Sequence, residues 1–371
     1  MGDPLNLGII GVGKISEQYL ATFDQLADLS LVAVADLDLG RASAVADSRS
    51  GVRAGTVEQL LAMPEVRMVV NLTTPAAHHD VDLQIIAAGK DLYSEKPLTV
   101  SVAQARAVLD AAAAARIVIG CAPDTMLGTG IQTARKAIDD GLIGAPISAS
   151  AIMVTPGHER WHPNPDFYYG PGGGPLLDMG PYYLSALVTL LGPIRAVIGA
   201  ASRTRETRII GSGPRRGEVI PVSTDSHITG ILTHASGALT TLVVSFDTVA
   251  TQSANIEIHG EAGSLVVPDP NHFSGEVKIR LLGGDRWDTL PVSAGYIEAS
   301  RGVGIADWVT GPARRAPRAG SELAFHVLEV MVAISASAES GQRKTVTSTV
   351  DRPSPVPLQQ LRRGNCQGCQ G

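Results

Sequence analysis

The sequence predicts a two-domain α/β chain: an N-terminal doubly wound parallel sheet, then an α+β domain built on a large open, mainly antiparallel sheet. Short apolar runs alternate with helical segments over residues 5–121, as in a parallel sheet with helices on both faces. β-Branched residues and turn dipeptides dominate residues 194–292, as in an antiparallel sheet. The 371 residues also exceed what one ordinary core accommodates, so two domains are expected.

The first domain is predicted over residues 1–123. Its strands are expected at the apolar runs 5–10, 31–35, 68–72, 92–94 and 117–121. Its helices are expected at about 14–27, 40–49, 57–63, 78–89 and 101–115. Ser101 is predicted to cap the last of these helices at its N-terminus, and Gly89 to close the preceding one.

The second domain is predicted over residues 124–357, with residues 358–371 as a flexible tail. Helices are expected at 130–141, 176–191 and 321–340, and an extended segment at 344–357. A loop rich in glycine, proline and aromatic residues separates the first two helices. We find no internal repeats.

Composition excludes several classes of protein. Hydrophobic residues make up 44% and charged residues 18%, as in globular rather than disordered proteins. The net charge of −6 gives no basic footprint for nucleic acid. No apolar run approaches the roughly 18 residues that span a bilayer, and Asp3 with no Lys or Arg before the first strand is unlike a secretory signal. We expect a cytoplasmic protein without nucleic-acid or membrane partners.

The three cysteines argue against a disulfide framework. Cys121 ends an apolar run and is predicted to be a small buried residue. Cys366 and Cys369 form a C-x-x-C in the polar terminus, without the βαβ context or second ligand pair that a redox or metal role requires. We expect them in the flexible tail.

The first apolar strand runs into a glycine turn. Gly11 and Gly13 occupy the first two positions of G-x-G-x-x-G; the first permits a tight turn, and the second lets the backbone approach a pyrophosphate at a helix N-terminus. Ser16 replaces the third glycine and is small enough for close helix–strand packing. Alone, the glycine pair is equally compatible with an ordinary strand–helix turn.

Asp36 ends the second strand, where a carboxylate meets the ribose hydroxyls of NAD and repels the 2′-phosphate of NADP. Asp38 adds a second negative charge. Arg41 lies close enough to favour NADP, or faces solvent from its helix. We favour NAD, with NADP possible.

Glu95-Lys96-Pro97 follows a later strand of the predicted parallel sheet. The proline fixes the approach of Lys96, and burial beside an oxidised nicotinamide would lower the pKa of the lysine toward the working range. The neighbouring Glu95 carboxylate would instead raise the pKa of Lys96. The alternative is a surface loop lysine.

A second glycine-rich turn, at 172–174, precedes a helix that carries Asp178 and Tyr182. Four residues apart, the two side chains share one helical face and can act at one site. Tyr182 is a proton donor, a base if its pKa of about 10 is lowered, or an aromatic that only packs against a ring.

Together these segments resemble the glucose–fructose oxidoreductase / inositol dehydrogenase (Gfo/Idh/MocA) family over nearly the whole chain. The resemblance implies a Rossmann domain, hydride transfer between nicotinamide and a carbinol carbon of a sugar, cyclitol or polyol, and the catalytic residues Lys96, Asp178 and Tyr182. Tyr182 replaces the histidine usual in the family. The implied cofactor contacts are Gly11, Val12, Gly13, Lys14, Ile15, Asp36, Thr73, Thr74, Pro75, His78, Glu95 and Lys96. His79 is expected at the surface.

Residues 157–169 combine polar donors with aromatic rings, which suits a carbohydrate. The residues predicted to bind substrate are Lys96, Asp124, His158, Trp161, His162, Tyr168, Asp178 and Tyr182. The string from His158 to His162 formally matches H-E-x-x-H, but that motif needs a regular helix and three prolines crowd it. We expect no metal.

Two alternative functions stay open. One is an NAD-dependent glycosidase or epimerase that oxidises its sugar transiently, and the other is a non-catalytic nucleotide-sensing regulatory protein. The open sheet of the second domain and the resemblance both suggest a homodimer or homotetramer.

Overall fold

The computed structural model describes residues 3–311 and 317–362. Its helices are α1 Ser16–Phe23, α2 Leu39–Asp47, α3 Val57–Leu61, α4 Pro75–Ala87, α5 Val102–Ala115, α6 Thr129–Asp139, α7 Asp166–Tyr169, α8 Pro175–Leu191, α9 Val303–Thr310 and α10 Ser321–Ser340. The strands are β1 Leu5–Ile10, β2 Leu29–Ala35, β3 Arg53–Gly55, β4 Met68–Asn71, β5 Asp91–Ser94, β6 Ile119–Cys121, β7 Pro146–Val154, β8 Ile194–Ser202, β9 Thr207–Ile209, β10 Val219–Pro221, β11 His227–His234, β12 Leu239–Ser245, β13 Ile256–Gly260, β14 Gly263–Val267, β15 Lys278–Leu281, β16 Asp288–Thr289, β17 Tyr296–Ile297, β18 Lys344–Thr345 and β19 Gln359–Gln360.

The chain divides into two compact units, and the division differs from the predicted boundaries. The first unit comprises residues 1–127, 296–324 and 359–371, and the second comprises 128–295 and 325–358. Residues 296–324 join the first unit because α9 contributes Ile305 and Trp308 to its core. Part of the predicted tail is ordered, since β19 pairs with β17. Cys366 and Cys369 lie outside the described residues, and Cys121 is buried as predicted.

The first unit is a six-stranded parallel sheet with strand order β3-β2-β1-β4-β5-β6, which confirms the predicted doubly wound fold. One face packs α1, α2 and α9 around Leu7, Ile9 and Val70. The other face packs α3, α4 and α5 around Ile10, Val69 and Leu92. Because both faces are covered, the central strands β1, β2 and β4 are mostly apolar.

Local signals set several helix ends in this unit. The Ser101 hydroxyl accepts from the Gln104 amide, and Gly89, with φ of 69°, follows α4; both are confirmed. Helix α4 begins three residues earlier than predicted, because Pro75 occupies its first turn, where a missing N–H leaves no donor unsatisfied. Strand β3 was not predicted.

The second unit is built on a nine-stranded sheet of order β16-β15-β14-β13-β7-β12-β11-β8-β18. Only β7 and β12 pair in parallel, so the mainly antiparallel prediction is confirmed within the described residues. Strand β7 was missed, because alternating Ser and Ala give it a weak hydrophobic period. The buried helix α8 packs against β7, β11 and β12.

Helix α10 is, among the described helices, the one long and apolar enough by length and composition to cross a membrane. Half of that window is buried inside the protein, and the Ser337 hydroxyl accepts from the Gly199 amide of β8 at 2.9 Å. Core helices commonly pass the same test, so the finding is weak evidence for a membrane span.

Candidate active site

The strand order of the first unit places a topological switch point between β1 and β4. Connections leave these adjacent parallel strands in opposite directions, and ligands of open α/β sheets bind outside the carboxyl ends at such a point. Candidate residues follow four of these ends: Gly11 after β1, Asp36 after β2, Thr73 after β4 and Lys96 after β5. The carboxyl edge of the parallel sheet, as we call these four loops, therefore gathers the predicted cofactor contacts.

The two glycines of the first turn differ in what surrounds them. Gly11 has φ of +93°, and a Cβ there would lie 2.8 Å from the carbonyl carbon of Leu72. A Cβ on Gly13 would meet no protein atom within 4 Å. Gly11 is thus required by the chain itself, whereas Gly13 leaves space before α1 that suits a dinucleotide pyrophosphate.

Ser16 stabilises this turn in place of a third glycine. Its hydroxyl donates to the Gly13 carbonyl at 2.7 Å, and the residue is buried in the first turn of α1. The departure from the glycine pattern therefore adds a hydrogen bond to the turn. Of the other predicted contacts here, Val12 is buried, Ile15 is half-buried and Lys14 is exposed.

The Asp36 carboxylate ties the glycine turn to the end of β2. One oxygen accepts from the Val12 amide at 2.8 Å, and the other accepts from the Asp38 amide at 2.9 Å. Asp38 caps α2 and pairs with the exposed Arg41 guanidinium at 3.3 Å. Each Asp36 oxygen keeps a lone pair for a ribose hydroxyl.

A buried polar network, missed from the sequence, supports the loop after β4. The Asn71 side-chain oxygen accepts from the Thr73 amide and hydroxyl, while its amide nitrogen donates to Asp82 at 2.7 Å. Ser94 donates to the other Asp82 oxygen. Burial raises the pKa of Asp82 to about 7, opposed by these two hydrogen bonds. Thr74 and Pro75 continue the loop into α4.

His78 connects this loop to the one after β5. Its Nδ1 lies 2.8 Å from the Pro97 carbonyl, its Nε2 lies 3.1 Å from the Thr73 carbonyl, and the side chain is fully buried. Burial lowers the pKa of His78, opposed by the two carbonyls. With both nitrogens facing backbone oxygens, His78 holds the two loops together, and the predicted cofactor contact is not favoured. His79 pairs with Asp80 at 2.7 Å.

Glu95 fixes the backbone of Lys96. One carboxylate oxygen accepts from the Tyr19 hydroxyl of α1 at 2.7 Å, and the other accepts from the Lys96 amide at 2.9 Å. Burial raises the pKa of Tyr19 well above its usual range, reinforced by Glu95, so the phenol stays protonated and donates. Glu95 is buried and Lys96 is half-buried.

Asp124, which the sequence predicts to bind substrate, is a buried residue of the first unit. The residue is 1% exposed, and one oxygen accepts from the Gly302 and Gly304 amides at 2.8 and 2.9 Å. Burial raises the pKa of Asp124 to about 6, opposed mainly by the Gly304 amide. The carboxylate holds the N-terminus of α9, because unpaired helix N–H groups require an acceptor.

In the second unit, the glycine-rich turn brings two predicted residues to the start of α8. Gly174 has φ of +90°, and a side chain on Gly173 would overlap the Phe167 carbonyl. Asp178 lies in the first turn of α8, and Tyr182, which is 5% exposed, lies one turn later. Because both residues belong to α8, their four-residue spacing places them on one face, with Pro181 inside the helix between them.

The structure joins His158 to Asp178, a pairing that the sequence did not predict. His158 Nε2 lies 3.1 Å from Asp178 Oδ2, and the two side chains are 11% and 16% exposed. The imidazole also contacts the rings of Trp161, Tyr168 and Phe246 at centroid distances of 5.2, 4.7 and 4.3 Å. A predicted substrate residue therefore bonds a predicted catalytic one.

Glu159, between the two predicted histidines, belongs to a buried ion network. It accepts from Tyr169 and from Arg208 at 3.1 Å, and Arg208 also pairs with Asp247. Arg208 further donates to two backbone carbonyls. Only three residues of the H-E-x-x-H string form a 3₁₀ turn, so the string lacks the regular helix that the zinc motif needs.

The aromatic residues of this loop form one cluster. His162 lies 5.4 Å from Trp161 and 5.5 Å from Tyr168 between ring centroids. Trp161 is 50% exposed, whereas His158 is buried. The loop therefore offers an exposed ring next to buried polar groups, the combination that suits a carbohydrate.

Two family descriptions match the chain. Residues 5–121 match an oxidoreductase family with an NAD-binding Rossmann fold, and residues 131–266 match the GFO/IDH/MocA C-terminal domain. The chain is 26% identical over 288 residues to inositol 2-dehydrogenase of Rhizobium meliloti (strain 1021), covering 78% of this chain and 82% of that protein. It is 26% identical over 264 residues to 1,5-anhydro-D-fructose reductase of Ensifer adhaerens, covering 70% and 74%.

A solved structure shares the fold. The crystal structure of an NAD binding oxidoreductase from Klebsiella pneumoniae matches 93% of this chain and 99% of its own, with a TM-score of 0.79 and 24% identity.

Proposed function

Because the chain belongs to the GFO/IDH/MocA family of NAD-binding oxidoreductases, we propose that it transfers hydride between NAD and a carbinol carbon of a sugar, cyclitol or related polyol. The observation that carries the proposal is the carboxyl edge of the parallel sheet, where Gly13, Asp36 and Lys96 each follow a strand end. The two curated relatives are named for a cyclitol and an anhydro sugar, which favours a cyclic polyol here. Their dehydrogenase and reductase names favour net redox over the two alternatives.

The residues fit NAD. The open space at Gly13 admits a pyrophosphate, and the half-buried Asp36 carboxylate suits the ribose hydroxyls. A 2′-phosphate would be repelled by that charge, and Arg41 pairs with Asp38. NAD is therefore favoured over NADP. Val12, Lys14, Ile15, Thr73, Thr74, Pro75 and Glu95 complete the proposed cofactor contacts.

The chain supplies groups for the proton. Oxidising an alcohol to a carbonyl releases one hydride and one hydroxyl proton; NAD, when bound, accepts the hydride. We assign the proton to the Lys96 amine, whose backbone Glu95 fixes, with Asp178 and Tyr182 assisting. A neutral amine accepts the proton in oxidation, and an ammonium returns it in reduction.

The substrate is assigned to the loop of the second unit. The half-exposed Trp161 ring offers an apolar face for a sugar ring, and the neighbouring His162 and Tyr168 offer hydrogen-bonding groups, whereas His158, also predicted to bind substrate, bonds Asp178. This combination favours a cyclic polyol over an apolar alcohol.

The test is an absorbance assay of the reduced cofactor. The full-length protein is mixed with NAD or NADP and a panel of cyclitols, aldohexoses and anhydro sugars, and the reverse direction uses the matching ketoses with reduced cofactor. We expect net turnover with at least one cyclic polyol and faster turnover with NAD than with NADP. Sugar conversion without net cofactor reduction would instead identify an epimerase or glycosidase, and cofactor binding without any turnover would identify a sensor.

The open face of the nine-stranded sheet supports self-association. Ile198 and Ile231 pair across β8 and β11 and are 46% and 47% exposed, and exposed apolar patches often mark interfaces. We propose a homodimer or homotetramer through this face, to be measured by light scattering. A cytoplasmic location is proposed because NAD is an intracellular cosubstrate, and cell fractionation tests it.

A further inference from the structure

His158 is held through its side chain and through its backbone by groups of its own unit. Its Nε2 meets Asp178 Oδ2 at 3.1 Å, and its backbone amide donates to the Tyr169 hydroxyl at 3.0 Å. Tyr169 in turn donates to Glu159, which Arg208 holds. The contact with Asp178 therefore ties the imidazole to α8, and the chain from Tyr169 to Arg208 fixes the backbone of His158.

The surroundings of the ring select its tautomer. His158 Nδ1 is buried and has no hydrogen-bond partner among the described residues. An imidazolium would place an N–H there without an acceptor, and a buried unsatisfied donor is destabilising by roughly 1–3 kcal/mol. A neutral ring with its hydrogen on Nε2 leaves only a lone pair unused and still donates to the Asp178 carboxylate.

We infer that His158 is a positioning residue for Asp178. Its Nε2–H binds one carboxylate oxygen and thereby fixes the rotamer of the side chain that assists the substrate proton. The inference rests on the proposed function, since it gives His158 a part in that reaction. His158 itself acts through Asp178 and takes no proton.

The physical reason lies in where Asp178 sits. Its side chain is 16% exposed in the first turn of α8, and the hydrogen bond from His158 Nε2 is one of the contacts that hold its rotamer. A misplacement of about 1 Å in a reacting group lowers a rate by on the order of 10²-fold.

Two substitutions separate the atoms of the ring. In His158→Gln the side-chain amide nitrogen lies as many bonds from Cα as Nε2 does, so it can donate to Asp178 in place of the imidazole. In His158→Asn the amide nitrogen corresponds in position to Nδ1 and is too short to reach Asp178. We expect His158→Asn to lower kcat by about 10²-fold with little change in KM, and His158→Gln to retain most of the activity. His272→Asn, at an exposed histidine, is the control and should behave as wild type.

Three kinetic outcomes would overturn the inference. They are wild-type kcat in His158→Asn, an equal fall in both variants at unchanged melting temperature, and a change in KM alone. The last would make His158 a substrate-binding residue.

A spectroscopic arm does not depend on activity. Long-range ¹H–¹⁵N spectra of histidine-labelled protein distinguish the two tautomers, and the His158 signal is identified by its loss in His158→Gln. We expect the Nε2–H form in wild type and a changed Nε2 shift in Asp178→Asn. A Nδ1–H form would overturn the inference. If no polyol turns over while the Nε2–H form is found, the proposed function fails and the His158–Asp178 bond stands.

Discussion

At the carboxyl edge of the parallel sheet, backbone groups hold the candidate residues, whereas in the loop before α8 side chains hold one another. Asp36 accepts from two main-chain amides, and Glu95 accepts from the Lys96 amide. In the second unit, Arg208 joins Glu159 to Asp247, and His158 meets Asp178 side chain to side chain. The first arrangement follows from where strands end, and the second depends on particular partners distant in sequence.

This difference predicts different responses to mutation. Substitutions at the carboxyl edge should change cofactor binding or chemistry while leaving the unit folded, unless they alter the backbone itself. Substitutions inside the side-chain network should change stability, because each removed group leaves a buried partner unpaired. Five sets of variants test the comparison.

Lys96→Met should give the largest effect. The methionine keeps approximate length but has no amine, so kcat should fall about 10²–10⁴-fold, the range of an acid–base group, with NAD affinity largely intact. Lys136→Met, at a surface lysine paired with Asp140, is the matched control. Near-normal turnover in Lys96→Met, measured alongside NAD binding by calorimetry, would remove Lys96 from the proton step.

Arg208→Met breaks the network of the second unit. Its side chain is 1% exposed, and its loss leaves the buried Glu159 and the half-buried Asp247 without their cation, which destabilises by about 3–5 kcal/mol. Arg215→Met is the control, because Arg215 makes a similar pair of ion pairs with Asp166 and Glu218 but its side chain is 33% exposed. Urea unfolding measures the stability of both variants. Equal urea midpoints would show that the buried ion network of Arg208 stabilises the protein no more than the ion pairs of Arg215 do.

Tyr182→Phe tests whether the hydroxyl acts. If Tyr182 assists the proton, kcat should fall about 10²-fold at little change in KM, and Tyr182→His should retain activity. Tyr183→Phe removes a hydroxyl from the next residue of α8, where it accepts from Asn255 at 2.9 Å, and should leave kcat unchanged. Wild-type kcat in Tyr182→Phe would leave the ring a packing role only.

Gly13→Ala tests whether the space at Gly13 is needed for NAD, and Gly11→Ala tests whether the backbone at Gly11 requires glycine. A methyl on Gly13 meets no protein atom, so the variant should keep its melting temperature while NAD affinity falls about tenfold, or roughly 1.4 kcal/mol. A methyl on Gly11 lies 2.8 Å from the Leu72 carbonyl carbon at φ of +93° and should lower the melting temperature. Undiminished NAD affinity in Gly13→Ala would place the pyrophosphate elsewhere.

Asp82→Asn should have the mildest effect. It tests the buried side-chain network of the first unit, in which Asp82 accepts from Asn71 and Ser94. The pKa of Asp82 is raised to about 7, so its carboxyl group binds a proton more tightly in the folded than in the unfolded state. This proton binding stabilises the folded state fully below a pH of about 4, and the stabilisation is lost as the pH rises through about 7. Asparagine cannot ionise. As the pH rises from about 4 to about 7, the free energy of unfolding of the variant should therefore increase relative to that of the wild type. A constant difference across the range would contradict the raised pKa.

The two regions also differ in how far the sequence predicted them. Gly11, Asp36 and Lys96 were predicted because each follows an apolar strand, and strand ends are visible as a change in local pattern. The network of the second unit was missed because β9 inverts that pattern: Arg208 is buried while Ile209 beside it is 62% exposed. Hydrophobic periodicity places such a strand with the wrong face inward.

Hydrogen bonds between residues far apart in the sequence account for the other differences between the predicted and the observed structure. Tyr19 reaches Glu95 across 76 residues, and Asp124 reaches Gly302 across 178. No local pattern links such positions, so the sequence placed Asp124 with the substrate and α9 in the second domain.

The shared carboxylate of Glu95 links two motions that would otherwise be independent. One oxygen is bound to Tyr19 in the helix that follows the glycine turn, and the other to the peptide that carries Lys96. A ligand that shifts α1 must therefore also shift the lysine or break a buried hydrogen bond. By thermodynamic reciprocity, whatever fixes Lys96 favours dinucleotide binding to the same degree that the dinucleotide favours an ordered lysine.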